Sequence, residues 1–150
     1  MSEQTSNRMR ALRPFESRDY RLLFMAVGIE VFGTGMWTIV MVFQVLALDD
    51  SPLALSAVAT GMSLGLFLFS IFGGVVADRF SKRKIIITVQ GLTAAMMTGV
   101  AILSMTGTIE LWHVGAASFV MGAGSAFFYP AYSAYLPHVL PPEQLLAANG

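Results

Sequence analysis

The sequence predicts an all-α membrane protein, built as a bundle of transmembrane helices. Of its 150 residues, 55% are hydrophobic and only 12% are charged, whereas a soluble domain has about 25% charged residues. Four apolar segments follow one another, and each is long enough to cross a hydrocarbon core about 30 Å thick. None shows the period of two that is typical of barrel strands, so we predict helices.

The first span is predicted over residues 22–48 and contains one charge, Glu30. It is too long to be the apolar region of a cleaved signal peptide. Residues 1–21 carry five Arg and are predicted to form a cytoplasmic tail. Within this tail, a short interfacial helix over residues 14–20 would place Arg side chains among anionic lipid head groups.

The other three spans are predicted over residues 53–77, 85–106 and 111–135, and none contains a charged residue. Ser51 followed by Pro52 predicts the N-cap and the first residue of the second helix.

The fourth helix has its own start and stop signals. Thr108 is predicted to cap its start, and Pro130 is predicted to kink it. Residues 136–150 are expected to be a cytoplasmic linker in which Pro141 begins a fifth helix. Because the sequence stops there, we expect it to be a piece of a longer protein.

The placement of positive charge predicts the orientation. All nine Lys and Arg residues lie in the N-terminal tail or in the loop after the second span. The positive-inside rule therefore places the N terminus in the cytoplasm, with helices that alternate in direction. A net charge of zero argues against a nucleic-acid partner, and the absence of Cys excludes disulfides.

Small residues recur at every fourth position in three of the predicted helices. This spacing lets helix backbones approach closely in lipid, so we expect the bundle to pack along these stripes. The stripes of the second, third and fourth helices are Ala57, Gly61 and Gly65, then Gly91, Ala95 and Gly99, then Ser118, Gly122 and Ala126.

Polar residues also form stripes, and the first contains Glu30, about 12 Å into its helix. An ionisable group at that depth usually has a function. We predict that Glu30 binds a cationic substrate or exchanges the driving proton, assisted by Thr34 and Gln44 on its own helix. Ser125 and Tyr129 form the matching stripe on the fourth helix. The alternative is a structural carboxyl group that is hydrogen-bonded to a neighbouring helix.

The loop after the second span predicts a conformational latch. Gly74 and Asp78 share one helix face, where Gly74 can let another helix approach and Asp78 can accept hydrogen bonds from its N-terminal amides. Beyond them, Arg79, Lys82 and Arg83 can pair with acidic groups across a gap between domains.

This loop resembles the signature Gly-x-x-x-Asp-Arg-x-Gly-Arg-Arg/Lys of the major facilitator superfamily, with Ser81 in place of the second Gly. Residues 122–149 resemble the branch that contains enterobactin-type siderophore exporters and related bacterial drug-efflux pumps. The resemblance implies twelve helices in two six-helix halves, of which residues 22–150 supply the first four and the start of a fifth. It implies that the polar stripes line the central cavity and that the C-terminal half is a partner.

A further implication concerns proton coupling. Many proton-coupled drug antiporters of the superfamily carry an Arg four residues before a Gly in the fourth helix, and Ser118 occupies that position before Gly122. The resemblance therefore does not support that route to proton coupling.

We expect a multi-pass secondary transporter of the bacterial inner membrane that exports a siderophore or drug by alternating access, driven by protons. The alternatives are an importer of a small solute, a membrane-embedded enzyme and a non-transporting membrane subunit. The sequence shows no catalytic set, cofactor motif or metal-ligand cluster, so neither cofactor nor metal is expected.

Overall fold

The computed structural model describes residues 17–139. Over that range the chain forms four long helices without a strand: α1 (Arg18–Leu48), α2 (Pro52–Arg79), α3 (Lys82–Met105) and α4 (Leu111–Val139). All four are long and apolar enough to cross a membrane. The predicted all-α transmembrane bundle is therefore confirmed.

The helix ends differ most from the predicted spans at the start of α1 and at the end of α4, by four residues each. Arg18–Tyr20 form the first turn of α1, which Ser17 caps by accepting a hydrogen bond from the Tyr20 amide. The described part of the predicted interfacial helix is thus continuous with α1. At the other terminus, α4 continues to Val139, four residues beyond the predicted fourth span. A membrane helix tolerates Pro137 because neighbouring groups satisfy the freed backbone atoms.

Several predictions fall on residues 1–16 and 140–150, outside the part of the chain that the structure describes. They are the first part of the Arg-rich tail with most of its interfacial helix, and the helix expected to begin at Pro141.

The short connections explain where the helices start and stop. As predicted, Ser51 caps α2 by accepting a hydrogen bond from the Ala54 amide, and Pro52 occupies the first turn. The Ser51 amide donates to the Asp49 carboxylate at 2.8 Å, and this hydrogen bond lowers the pKa of Asp49 because it stabilises the ionised form.

The predicted role of Thr108 is wrong, because Thr108 completes the end of α3 rather than the start of α4. Gly107 adopts a φ of 70°, and its amide donates to the Ser104 carbonyl oxygen while the Thr108 amide donates to that of Leu103. This pattern is a Schellman motif, which requires a left-handed residue.

Helix α4 is the centre of the bundle, and α2 packs closely along it. A Cβ atom added at Gly61 would lie 3.2 Å from the Gly115 carbonyl oxygen. At Gly65 it would overlap the Phe119 carbonyl group, and at Gly122 that of Met62. The small-residue stripes of α2 and α4 therefore face each other, as expected for close helix contact in lipid.

The other glycines predicted to make close contacts have no close neighbour within the described residues. A Cβ atom added at Gly91, Gly99 or Gly74 would meet no atom within 4 Å. Helix α3 instead packs through larger side chains, including buried Val89. Among the described residues the close approach in this part of α2 is made by Gly73, which lies against the Ala126 carbonyl group, and the role of Gly74 in the latch stays a prediction.

Two apolar clusters stabilise opposite ends of the bundle. One, which includes Leu23, Ile86 and Phe128, lies where α1 and α3 begin and where α2 and α4 end. We call this the basic end, because the cations that follow Asp78 are located there. The other cluster includes Val45 and Val114 and lies at the opposite end.

The packing predicts that Gly65 tolerates no side chain. Replacement by Leu should destabilise the full-length protein by about 1–3 kcal/mol or more, because backbone rather than a flexible side chain occupies the space. The measurement is the thermal unfolding midpoint in detergent. Gly91→Leu is the matched control, since that position is exposed, and equal losses in the two variants would contradict the described α2–α4 contact.

Candidate functional site

The candidate site is the Glu30 carboxyl group, which lies in the bundle between the two apolar clusters. Glu30 is only 4% exposed. Its Oε1 atom accepts a hydrogen bond from the Ser125 hydroxyl of α4 at 3.3 Å. Its Oε2 atom is buried and has no hydrogen-bond partner among residues 17–139. A buried ionisable group with an unsatisfied oxygen is costly, so its presence favours a functional role.

A second buried hydrogen bond joins the same two helices. The Trp37 Nε1 atom donates to the Ser118 hydroxyl at 3.2 Å, and both residues are buried. Trp37 lies seven residues after Glu30, and Ser118 lies seven before Ser125, as two antiparallel helices require. The polar stripes of α1 and α4 therefore meet along two helical turns.

Gln90 of α3 is the polar residue of this site that sequence reasoning missed. Its Nε2 atom donates to the Ala26 carbonyl oxygen at 3.1 Å, one turn before Glu30 on α1. The Gln90 and Thr34 side chains also border the carboxyl group. The sequence does show that Gln90 is an amide side chain inside an uncharged span. Only the packing of α3 shows that Gln90 contacts α1.

The structure brings together Glu30, Thr34 and Ser125 but places the other predicted site residues elsewhere. Gln44 lies near the end of the bundle opposite the basic end, and its Oε1 atom accepts a hydrogen bond from the Ser104 hydroxyl at 2.9 Å. Tyr129 is half exposed, and its ring packs edge-on against Phe128.

The parts of the two polar stripes that meet each other are buried. Glu30, Trp37, Ser118 and Ser125 are buried against one another. In lipid a polar side chain is stabilised by a hydrogen bond to a neighbouring helix, whereas an apolar surface offers it no hydrogen-bond partner. In this arrangement the site is a closed polar contact.

The latch residues lie at the basic end. Asp78, Arg79 and Arg83 are exposed, and Lys82 is half-buried. Over the described range they form no ion pair with one another, and Asp78 accepts no hydrogen bond from a helix N terminus. A latch at this loop would therefore need a partner from another part of the protein, and it stays a prediction.

The chemistry available to this site is proton exchange or cation binding. A carboxyl group can take up or release a proton, and its ionised form attracts a cation. Residues 17–139 contain no cluster of His, Asp and Glu that could hold a metal ion.

The sequence profile of a family described as transmembrane secretion effectors matches residues 9–149. Macrolide efflux protein A of Enterococcus faecalis is 33% identical over 99 residues, covering 63% of this chain and 31% of that protein. An uncharacterised MFS-type transporter of Bacillus subtilis, YkuC, is 28% identical over 137 residues, covering 91% and 31%. Multidrug resistance protein MdtH of Salmonella newport is 33% identical over 94 residues, covering 59% and 22%.

The matched stretches thus span less than a third of these relatives. No solved structure matches the chain.

The buried bond between Trp37 and Ser118 predicts measurable coupling between α1 and α4. In a double-mutant cycle with Trp37→Phe and Ser118→Ala, the two losses of stability should be non-additive by about 0.5–1.5 kcal/mol. The measurement is unfolding of the full-length protein in detergent. Trp37→Phe combined with Ser63→Ala is the control, since Ser63 is exposed on α2, and additivity in both cycles would contradict the bond.

Proposed function

The chain belongs to the transmembrane secretion effector family of major facilitator transporters. We propose that the whole protein exports a small amphipathic molecule in exchange for protons. Efflux is supported by the macrolide and multidrug relatives. Because the matched stretches span less than a third of those proteins, the activity belongs to the whole protein. A drug is the proposed substrate class, and a siderophore is the alternative that fits the resemblance of the fourth helix.

The observation that carries the proposal is the buried carboxyl group of Glu30. One of its oxygens has a hydroxyl partner and the other has none within the described range. Proton uptake removes the charge and makes the free oxygen a possible donor. The two protonation states therefore favour different arrangements of neighbouring polar groups.

This difference provides a physical route to coupling. Ser125 belongs to α4, the central helix, so a change at its hydrogen bond to Glu30 acts on the packing of α1 against α4. A proton shifts a conformational equilibrium only by its differential affinity for the two states. We propose that the state that exposes Glu30 to water exchanges its proton, while the closed contact described above excludes water.

We propose substrate contacts at two other predicted positions. Tyr129 presents an aromatic ring with a hydroxyl group, and Gln44 presents an amide, both suited to an amphipathic molecule. Neither lies in the closed contact around Glu30. Proton and substrate would accordingly bind at separate places and communicate through the helices.

We propose that the protein lies in the bacterial inner membrane with its N terminus in the cytoplasm. The charge distribution supports this orientation, because Lys and Arg concentrate in the N-terminal tail and at the basic end. Alternating access would then open and close the gap at the basic end, where Asp78 and the cations form a latch with the C-terminal half.

Glu30→Gln tests the proton-coupling proposal. The amide keeps the shape and cannot exchange a proton, so proton-driven drug transport by the full-length protein in proteoliposomes should be largely lost. The residual transport should lose its dependence on pH. The exposed Glu110→Gln is the control. A Glu30→Gln protein with the wild-type pH profile would eliminate Glu30 as the coupling group.

Cysteine labelling tests the orientation. The chain has no Cys, so Asp50→Cys and Ser81→Cys each introduce a single thiol into an exposed loop, in a full-length protein whose other cysteines are replaced. A membrane-impermeant maleimide should label Asp50→Cys in intact cells and Ser81→Cys only after permeabilisation. The reverse pattern would invert the proposed topology.

A further inference from the structure

An open groove lies between α2 and α3 at the basic end. These two helices barely touch each other, since each packs mainly on α4. The groove encloses about 710 Å³. Its walls are apolar and aromatic, with Phe69 on α2, Leu92 on α3 and Phe127 on α4. Arg79 and Lys84 stand at its mouth, so the groove is apolar along its length and positively charged at one end.

The charges distinguish this groove from two other cavities lined by described residues. A cavity of about 280 Å³ beside α1 is lined by both Asp19 and Arg83, whose charges offset each other. A cavity of about 400 Å³ near Gln44 has no charged residue in its lining. The α2–α3 groove combines two cations with no carboxylate.

We propose that the α2–α3 groove binds a phospholipid with an anionic head group. The phosphate would lie at Arg79 and Lys84, and one acyl chain would follow the apolar walls. Ser81 lines the same mouth, and its hydroxyl makes no capping bond to α3, so it can donate to a phosphate oxygen. The site rests on the proposed orientation, which places the basic end in the cytoplasmic leaflet, where anionic lipids attract Lys and Arg.

The charge placement favours a lipid over another helix of the same protein. A helix could cover the apolar walls, but it would need to bring an anion to Lys84 as well as to Arg79, and of these two only Arg79 belongs to the proposed latch. A phospholipid carries both parts in one molecule, with its negative group at the membrane surface and its chain in the hydrocarbon region. The long side chains of Arg and Lys can reach that surface from the ends of α2 and α3.

Native mass spectrometry of the detergent-solubilised full-length protein tests the site. The titrants are phosphatidylglycerol and phosphatidylcholine with the same acyl chains, together with glycerol phosphate, which has no chain. One phosphatidylglycerol should bind more tightly than phosphatidylcholine, and glycerol phosphate should not compete. Equal binding of the two lipids would overturn the anionic specificity, and effective competition by glycerol phosphate would overturn the role of the groove.

Two double variants distinguish lipid binding in the groove from nonspecific attraction of lipid to surface charge. Each cation near an anionic lipid contributes about fivefold to affinity, so R79Q/K84Q should weaken phosphatidylglycerol binding about twenty-fivefold. K82Q/R83Q removes the same charge from the adjacent positions, which do not line the groove, and should retain most of the affinity. Equal losses in both variants would overturn the assignment to the groove.

A second pair tests the acyl chain and remains decisive if the charge variants fold poorly. Thr88 lines the groove and is exposed, so Thr88→Trp should fill it and reduce binding at least about fivefold, comparable to losing one cation contact. Thr98 is also exposed on α3 but lines none of the three cavities, so Thr98→Trp should bind normally. Unchanged binding in Thr88→Trp would show that the groove is otherwise occupied and would overturn the proposal.

These lipid measurements are independent of transport. Glu30→Gln should still bind one phosphatidylglycerol in preference to phosphatidylcholine, even though its proton-driven transport falls. Failure of the lipid site would leave the transport proposal intact, and failure of Glu30→Gln in transport would leave the lipid site intact.

Discussion

The close contact between α2 and α4 is the constraint on which the rest of the structure depends. Lipid tails are as apolar as the helices, so helix association there depends on close packing and on interhelical hydrogen bonds. At Gly65 and Gly122 any Cβ atom would overlap the backbone of the facing helix. This contact fixes one side of α4, and the positions of Ser118 and Ser125 on α4 follow from it.

With α4 fixed, α1 and α3 can pack on its remaining surface by other means. Helix α3 uses large apolar side chains, whereas α1 uses two buried polar bonds in addition to apolar contacts. The glycine contact between α2 and α4 has no side chain that could exchange one hydrogen-bond partner for another, because the two backbones touch directly. A carboxyl–hydroxyl bond can change when the carboxyl group gains or loses a proton. If Glu30 exchanges a proton as proposed, the contact that varies is therefore the one between α1 and α4.

The sequence could predict which residues form helices and which helix faces carry small or polar residues, but not which neighbouring helix each face contacts. Glu30 and Ser125 were identified by spacing, and their contact follows from two antiparallel helices. The same spacing rule failed for Gly91 and Gly99, because a stripe of small residues does not state what lies opposite. Gln90 was missed for the related reason that the position of α3 depends on three-dimensional packing.

Helix α4 also connects the two proposed sites physically. Ser125 contacts Glu30, and one turn further along α4 Phe128 belongs to the apolar cluster of the basic end. Phe127, beside it, lines the lipid groove. If a proton at Glu30 shifts α1 relative to α4, α3 can follow α1 through the bond between Gln90 and the Ala26 carbonyl oxygen, and the groove between α2 and α3 changes shape in the same movement. Thermodynamic reciprocity then requires a lipid that prefers one shape of the groove to alter the proton affinity of Glu30 by the same factor. The membrane composition would thereby bias the transport cycle without any contact between lipid and substrate.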